Sequence, residues 1–366
     1  MKYLFAIFSI ALFASQTNAQ TLILDSLALL PNEIVESSGL IYFDNKLITH
    51  TDSGGENALY EIDTNTAQVL RKVYITNSVN NDWEDITQDE NYIYIADFGN
   101  NQGSRTDLKI LKISKTEFQT YDSIQATFIK YSYEDQTDFT PTSKMTNFDA
   151  EAIISIEDSL YIFTKNWGNQ ETSVYPIPKD TGTFIVSKNE QFDVEGMITA
   201  ADYNHATNTV FLIGYTPLGI PFAFSLKDFD QNIFFSGDTV RFQVQLKQSV
   251  QIEAICSTMD NKYYVSSEDF FTLNASLHTF KRESSTVQSI FTLKSKIRNI
   301  AIPNPIKNKV CIDTEFQKAI LYNALSQYIK TVYKNCFEIA AQKDGIYFLK
   351  VFDNNGQTQT IQIVKQ

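Results

Sequence analysis

Asp149-Ala150-Glu151-Ala152-Ile153 opens an apolar strand-like run, and four other segments repeat its form: Glu36-Ser37-Ser38-Gly39-Leu40, Asp82-Trp83-Glu84-Asp85-Ile86, Asp193-Val194-Glu195-Gly196-Met197 and Gln251-Ile252-Glu253-Ala254-Ile255. Aligned on the closing apolar residue, they stack Ser38, Glu84, Glu151, Glu195 and Glu253 in one column. Two residues earlier a second column reads Glu36, Asp82, Asp149, Asp193 and Gln251. Side chains of a strand alternate faces, so both columns project to the same side. Acids at equivalent points of a repeated strand converge when the repeats close into a ring. The pattern predicts an all-β chain: a β-propeller whose central channel is lined with carboxylates.

The rest of the sequence fits that plan. Aromatics are abundant, with 27 Phe and 19 Tyr, and short apolar runs are punctuated by Gly, Pro, Asn and Asp. The column residues are spaced 46, 67, 44 and 58 residues apart. A four-stranded blade needs about 40–50 residues, so two intervals carry loop insertions. Five blades follow, with inner strands starting at Gly39, Glu84, Glu151, Gly196 and Glu253. The outer strands of blades three and five are expected at Phe184–Lys188 and Val287–Leu293. Leu22–Leu29 reads as a further strand that completes the last blade, although six blades follow if it belongs to a degenerate one.

The ends of the chain read differently. Lys2, the apolar run Tyr3 to Ala14 and Thr17-Asn18-Ala19 have the form of a secretory signal over residues 1–19, too short to remain as an anchor. Residues 20–294 then make the propeller, and near Lys294 the pattern changes, so that 295–366 form a linker and a smaller β unit. The net charge of −13 disfavours a nucleic-acid partner, because phosphate contacts need clustered Lys and Arg. Cysteines are few: Cys311 and Cys336 are candidates to pair across strands of the C-terminal unit, a connectivity that spacing alone leaves open, and Cys256 reads as a buried thiol.

Pro303-Asn304-Pro305, the strand Ala319-Ile320-Leu321-Tyr322-Asn323, Gly345-Ile346-Tyr347, Asn355-Gly356 and the terminal Ile363-Val364-Lys365-Gln366 closely resemble the C-terminal sorting domain of type IX secretion cargo. The residue before Pro303, often aromatic in that family, is Ile302 here. The resemblance implies a small sandwich read by an outer-membrane translocon of a Gram-negative bacterium. It further implies delivery through the periplasm to the cell surface or the medium. It is silent on what the propeller does.

The acidic column raises an electrostatic question. Carboxylates roughly 6 Å apart repel by about 3 kcal/mol per pair at an effective dielectric near 20. Several such pairs rival a domain's whole stability of about 5–15 kcal/mol. No Lys or Arg falls in either column. A hard cation with oxygen ligands is the simplest remedy, and Ca²⁺ tolerates the geometry. His50, His205 and His278 are scattered, which excludes histidine-rich zinc chemistry. The alternative is that the glutamates cap loops or receive backbone N–H groups around a water-filled channel. The column also resembles that of five-bladed calcium-dependent nucleotidases (apyrases) and, more loosely, phytase-like and esterase-like propellers. That resemblance implies a central Ca²⁺ at Ser38, Glu84, Glu151, Glu195 and Glu253.

The second strands end on the same face in polar and aromatic residues, a plausible ligand funnel. Its candidates are His50, Asp52, Asp97, Asn100, Arg105, Lys165, Trp167, Tyr215 and Glu268. Lys165 and Arg105 suit a phosphate or carboxylate, the aromatics suit a sugar ring, and His50 with Asp52 suits a base and its orienter. Each also has a plain role as a turn or packing residue. Nucleophile-elbow, P-loop and Cys-His signatures are absent. The leading expectation is an exported, calcium-stabilised propeller that binds a glycan, peptide or small molecule. The alternatives are a metal-dependent hydrolase of phosphate or carboxylate esters and a purely structural surface protein.

Overall fold

Turn residues and β-branched or aromatic runs alternate along the chain, and the runs fold as strands. Between the strands Ser37–Phe43 and Lys46–Thr51, Asp44 and Asn45 take φ values of 51° and 60°, the paired left-handed turn that matches strand twist. A computed structural model describes residues 20–246, 251–268, 274–282, 301–302, 307–312, 316–323, 328–352 and 358–365. The signal-like segment 1–19, the strand expected at 287–293 and Pro303-Asn304-Pro305 therefore lie outside the described residues. The chain divides into two compact units between Ser284 and Ser285. Among the described residues no helix is long and apolar enough to cross a membrane.

In the first unit the described strands form five sheets of four or five strands each. The first strand of each sheet is Ser37–Phe43, Trp83–Gln88, Ala150–Ile156, Met197–Asn204 or Ile252–Ser257. These five strands neighbour one another in a closed ring, the last against the first. The unit is a β-propeller, with these strands innermost. Five separate apolar cores fill the gaps between adjacent blades. Trp83, Ile86 and Ile48 pack between blades one and two, for example, and Tyr264, Cys256 and Tyr60 between blades five and one. Burying each large side chain stabilises by about 1.5–3 kcal/mol, so every blade is held from both flanks.

The outer edges depart from the expected strand order. Gly182–Val186, which overlaps the Phe184–Lys188 run expected as the outer strand of blade three, runs parallel to Thr127–Tyr133 on blade two. The outer position of blade three belongs to Glu190–Asp193, paired with Glu171–Pro178. The N-terminal run splits in the same manner. Gln20–Ile23 joins blade four in parallel with Asp238–Gln245, and Asp25–Leu29 completes blade five against Ser276–Lys281. The beginning of the chain thus closes the ring, but across two blades rather than one.

The second unit has two sheets around one core. Ala301–Ile302, Lys309–Ile312 and Cys336–Glu338 form the first, and Lys318–Asn323, Tyr328–Val332, Gly345–Phe352 and Thr358–Lys365 the second. Val310, Ile312, Leu321, Val332, Leu349 and Ile363 are buried together. Cys311 and Cys336 face each other across paired strands and form a disulfide.

Candidate functional site

Each inner strand carries a one-residue bulge where it leaves the channel mouth, and the bulges define the true column. Pairing with the second strand skips one residue in every blade: Ser38, Glu84, Glu151, Thr199 and Glu253. A bulged residue is freed from the ladder and re-aimed. All five are buried. The fourth member is Thr199, and Glu195 is not in the column. Glu195 precedes the strand with φ 51°, is largely exposed, and lies 4.0 Å from Arg241. Its Glu-Gly-Met context imitates the motif four residues too early. The two hydroxyls tie neighbouring blades together: Ser38 donates to the Glu84 carbonyl at 2.8 Å and Thr199 to the Ile252 carbonyl at 2.7 Å.

Glu84 faces acids from outside the column as well as Glu151 within it. It meets Asp82, which directly precedes its strand, and Asp52, from the end of the second strand of blade one. Carboxylate oxygens of Asp52, Asp82 and Glu84 lie within 4.8 Å of one another. Gly99 makes that approach possible, since a Cβ there would sit 2.1 Å from Glu84 Oε1 and 2.4 Å from Asp82 Oδ2. Burial raises all three carboxyls, and like charges raise two of them further. Asp82 reaches about 7, with Asp52 and Asp149 adding to burial. Glu84 is held well above the usual carboxylate range by burial and then by Glu151 and Asp52.

Beside this group Lys165 supplies the counter-charge that neither column contains. Its ammonium lies 2.8 Å from Glu151 Oε1, with both side chains almost fully buried. Burial works against the ammonium, but Glu151, Tyr215 and Glu253 outweigh it and hold its pKa well above the ordinary lysine value. Glu253 is raised to about 7 and the adjacent Glu268 to about 9, each chiefly by burial. Lys165 is thus a partner of the axis rather than an open ligand contact.

The other funnel candidates separate into supports and rim. Asp97 is fully buried between Arg105 at 2.8 Å and Lys109 at 2.6 Å. Arg105 also donates to the Gly99 carbonyl at 2.9 Å and pairs with Asp107 at 3.0 Å, so it braces the Gly99 turn. Asn100 donates its backbone N–H to Asp149 at 2.6 Å, and Trp167 its indole N–H to the other Asp149 oxygen at 2.7 Å. His50 packs its ring edge-on against Trp83 between blades, 5.7 Å between centroids. Burial lowers it to about 4, and its Nδ1 faces the Thr51 carbonyl rather than Asp52. The base-and-orienter pairing is therefore not formed. Trp167 and Tyr215 line an open depression of about 600 Å³ with Lys144, Gln170, Met197 and the exposed Leu218. A larger groove of about 970 Å³, past Val79, Phe128 and Thr183, runs along the outer strands of blades one and two and includes none of the channel-mouth acids, although Asp107 lines it.

Two functional-looking residues escaped the sequence reading. Asp82 stood in the second column but was not assigned to the metal set. Asp85 follows a column glutamate and carries no expected role; it is buried inside the ring and accepts backbone N–H groups of Ile86, Ile153 and Ala201 at 2.8, 2.9 and 3.4 Å. Its position right after a column glutamate was the available signal.

No family model and no curated protein matches the chain. Similar solved structures include PorZ of Porphyromonas gingivalis, an essential surface component of its type IX secretion system. That match has 11% identity and a TM-score of 0.31, over 92% of this chain and 60% of PorZ. The chain thus spans 60% of the length of PorZ. A glucose dehydrogenase matches at 8% identity and a TM-score of 0.40, over 70% of this chain and 99% of its own. The calcium-binding protein regucalcin of Agrobacterium tumefaciens matches at 9% and 0.39, over 73% and 98%. These likenesses are distant, and the fold assignment rests on the sheets themselves.

Proposed function

We propose that the protein is an exported Ca²⁺-binding β-propeller that takes its ligand on the face where Asp52, Asp82 and Glu84 open. The observation that carries this reading is the meeting of those three carboxylates over Gly99. Three anionic oxygens this close repel unless a proton or a cation lies among them. The donor set is all oxygen, with no thiol or imidazole, which suits a hard divalent ion. Ser38 and Thr199 donate their hydroxyls to backbone carbonyls of the next blade, which ties the ring around the set. Asp52, Asp82 and Glu84 would hold the ion, which would supply a fixed positive charge for an anionic or hydroxyl-rich ligand. The adjoining depression offers Trp167, Tyr215 and Lys144 as its walls.

Elemental analysis of the purified protein, with melting temperatures in Ca²⁺ and in chelator, tests the metal. Ca²⁺ should raise the melting temperature by several degrees, and Asp82→Asn should remove most of that rise. Identical melting of the wild type with and without chelator would sink the reading. The second unit, on its sequence resemblance, acts as the type IX sorting domain. Deleting the residues after Lys296 should strand the propeller in the periplasm of a type IX-competent host, and normal export of that truncation would refute the assignment.

A further inference from the structure

The depression of about 600 Å³ that Trp167 lines is a cationic spot in an acidic chain. The net charge of the chain is −13. Among the described residues, no Asp or Glu lines this depression and Lys144 is its single cation. The walls are fixed from behind. Trp167 donates its backbone N–H to the Thr146 carbonyl at 3.0 Å and its indole N–H to Asp149 at 2.7 Å. Lys144 and Gln170 hold φ values of 52° and 59°, left-handed conformations that non-glycine residues adopt under constraint. The constraint is visible: their backbone N–H groups donate to the Asn101 and Asn166 carbonyls at 2.9 and 3.0 Å. Such conformations gather at ligand clamps.

Two kinds of surface meet there. Trp167 and the 85% exposed Leu218 give an apolar wall, and Gln170, Gln251 and Thr216 set amides and a hydroxyl beside it. The Thr216 hydroxyl accepts the Ile220 N–H at 3.2 Å and keeps its own proton to donate. Amides and hydroxyls both donate and accept, which matches the hydroxyls of a sugar, while the C–H face of a sugar ring suits the apolar wall. A fatty chain needs an enclosed apolar channel and an extended peptide an unpaired sheet edge, whereas this depression is open and walled mostly by turns. Lys144 is exposed, and its ammonium rests 5.0 Å from the centroid of the Trp167 ring. That contact is weak at an exposed site and leaves the ammonium free to turn to an anion. We propose that the depression binds an acidic saccharide, with a uronate carboxylate at Lys144 and the sugar ring against Trp167 and Leu218. This inference rests on the reading that the ligand is taken on this face, and not on the Ca²⁺.

The chain has two tryptophans, and Trp83 is fully buried, so a ligand-dependent change in tryptophan emission reports on Trp167. The full chain is titrated in chelator with trigalacturonate and trimannuronate, each as the free acid and as its methyl ester, by emission and by calorimetry. At least one acid should bind and shift the emission, and its ester, which keeps the ring without the charge, should bind about fivefold more weakly. Lys144→Met should bring the acid down to the level of the ester. Neither acid binding, equal affinity for acid and ester, or a preference that survives in Lys144→Met would each overturn the proposal. Because Ca²⁺ is absent from the titration, its failure leaves the metal reading untouched, and an absent Ca²⁺ effect on melting leaves a positive titration standing.

Discussion

Single residues decide what the channel mouth can hold. Lys165 removes one carboxylate from the electrostatic problem by pairing with Glu151 at 2.8 Å, and Glu195 removes itself by standing in solvent. Asp52, Asp82 and Glu84 remain together, and their spacing depends on a missing methyl group. Gly99 is needed for room rather than for backbone freedom. The atoms a Cβ would strike are chiefly the carboxyl ends of Glu84 and Asp82. Gly99→Ala should therefore push the carboxylates apart without wrecking the fold. In chelator the variant should stay within about 1 kcal/mol of wild type, while the Ca²⁺-dependent rise in melting temperature is lost. A variant that keeps the full rise would show that the three acids are not the ligands.

At the scale of the strand, periodicity was readable and the bulge was not. Alternating apolar residues with Asn and Asp turns foretold most strands because burial of one face and turn chemistry are local properties. In four blades the bulge falls on the residue the repeat picks out, since Ser38, Glu84, Glu151 and Glu253 are each the second residue of their strand. In blade four the strand begins at Met197, later than Asp193-Val194-Glu195 suggests, and the bulge falls on Thr199. A bulge is fixed by pairing with a second strand, which no single segment encodes. Thr199 also hides chemically, since a threonine hydroxyl does in blade four what the Ser38 hydroxyl does in blade one. Outer strands were misplaced for a related reason. Glu190–Asp193 and Gly182–Val186 both read as short strands, and only the third dimension says which sheet takes each. Lys165 was legible as a base at a strand end, but its burial against Glu151 depended on ring closure.

Over the whole first unit, five inter-blade cores hold the ring closed, so the strands that carry the mouth acids cannot draw apart to relieve the repulsion. They must take up protons or a cation, and this ties stability to pH with a definite sign. Asp82 and Glu253 are raised to about 7 and Glu268 to about 9, against roughly 4 in an unfolded chain. Raised carboxyls favour the fold while they keep their protons, so their contribution is full at low pH and is lost as pH climbs through those values. His50 and His278 act in the opposite window: both are depressed to about 4 by burial and destabilise the fold only as pH drops below about 6.5. Between about pH 6.5 and 9 the carboxyls therefore dominate. In chelator, stability should fall across that range, most of it through Glu268, and the melting temperature should drop by several degrees. Ca²⁺ should flatten the decline, because a bound cation replaces the protons that Asp82 and Glu84 give up. The rise in melting temperature on adding Ca²⁺ should accordingly be larger at pH 8.5 than at pH 6.5. A rise of equal size at both would mean that the ion binds away from the raised carboxyls, and the assignment of Asp52, Asp82 and Glu84 would have to be withdrawn.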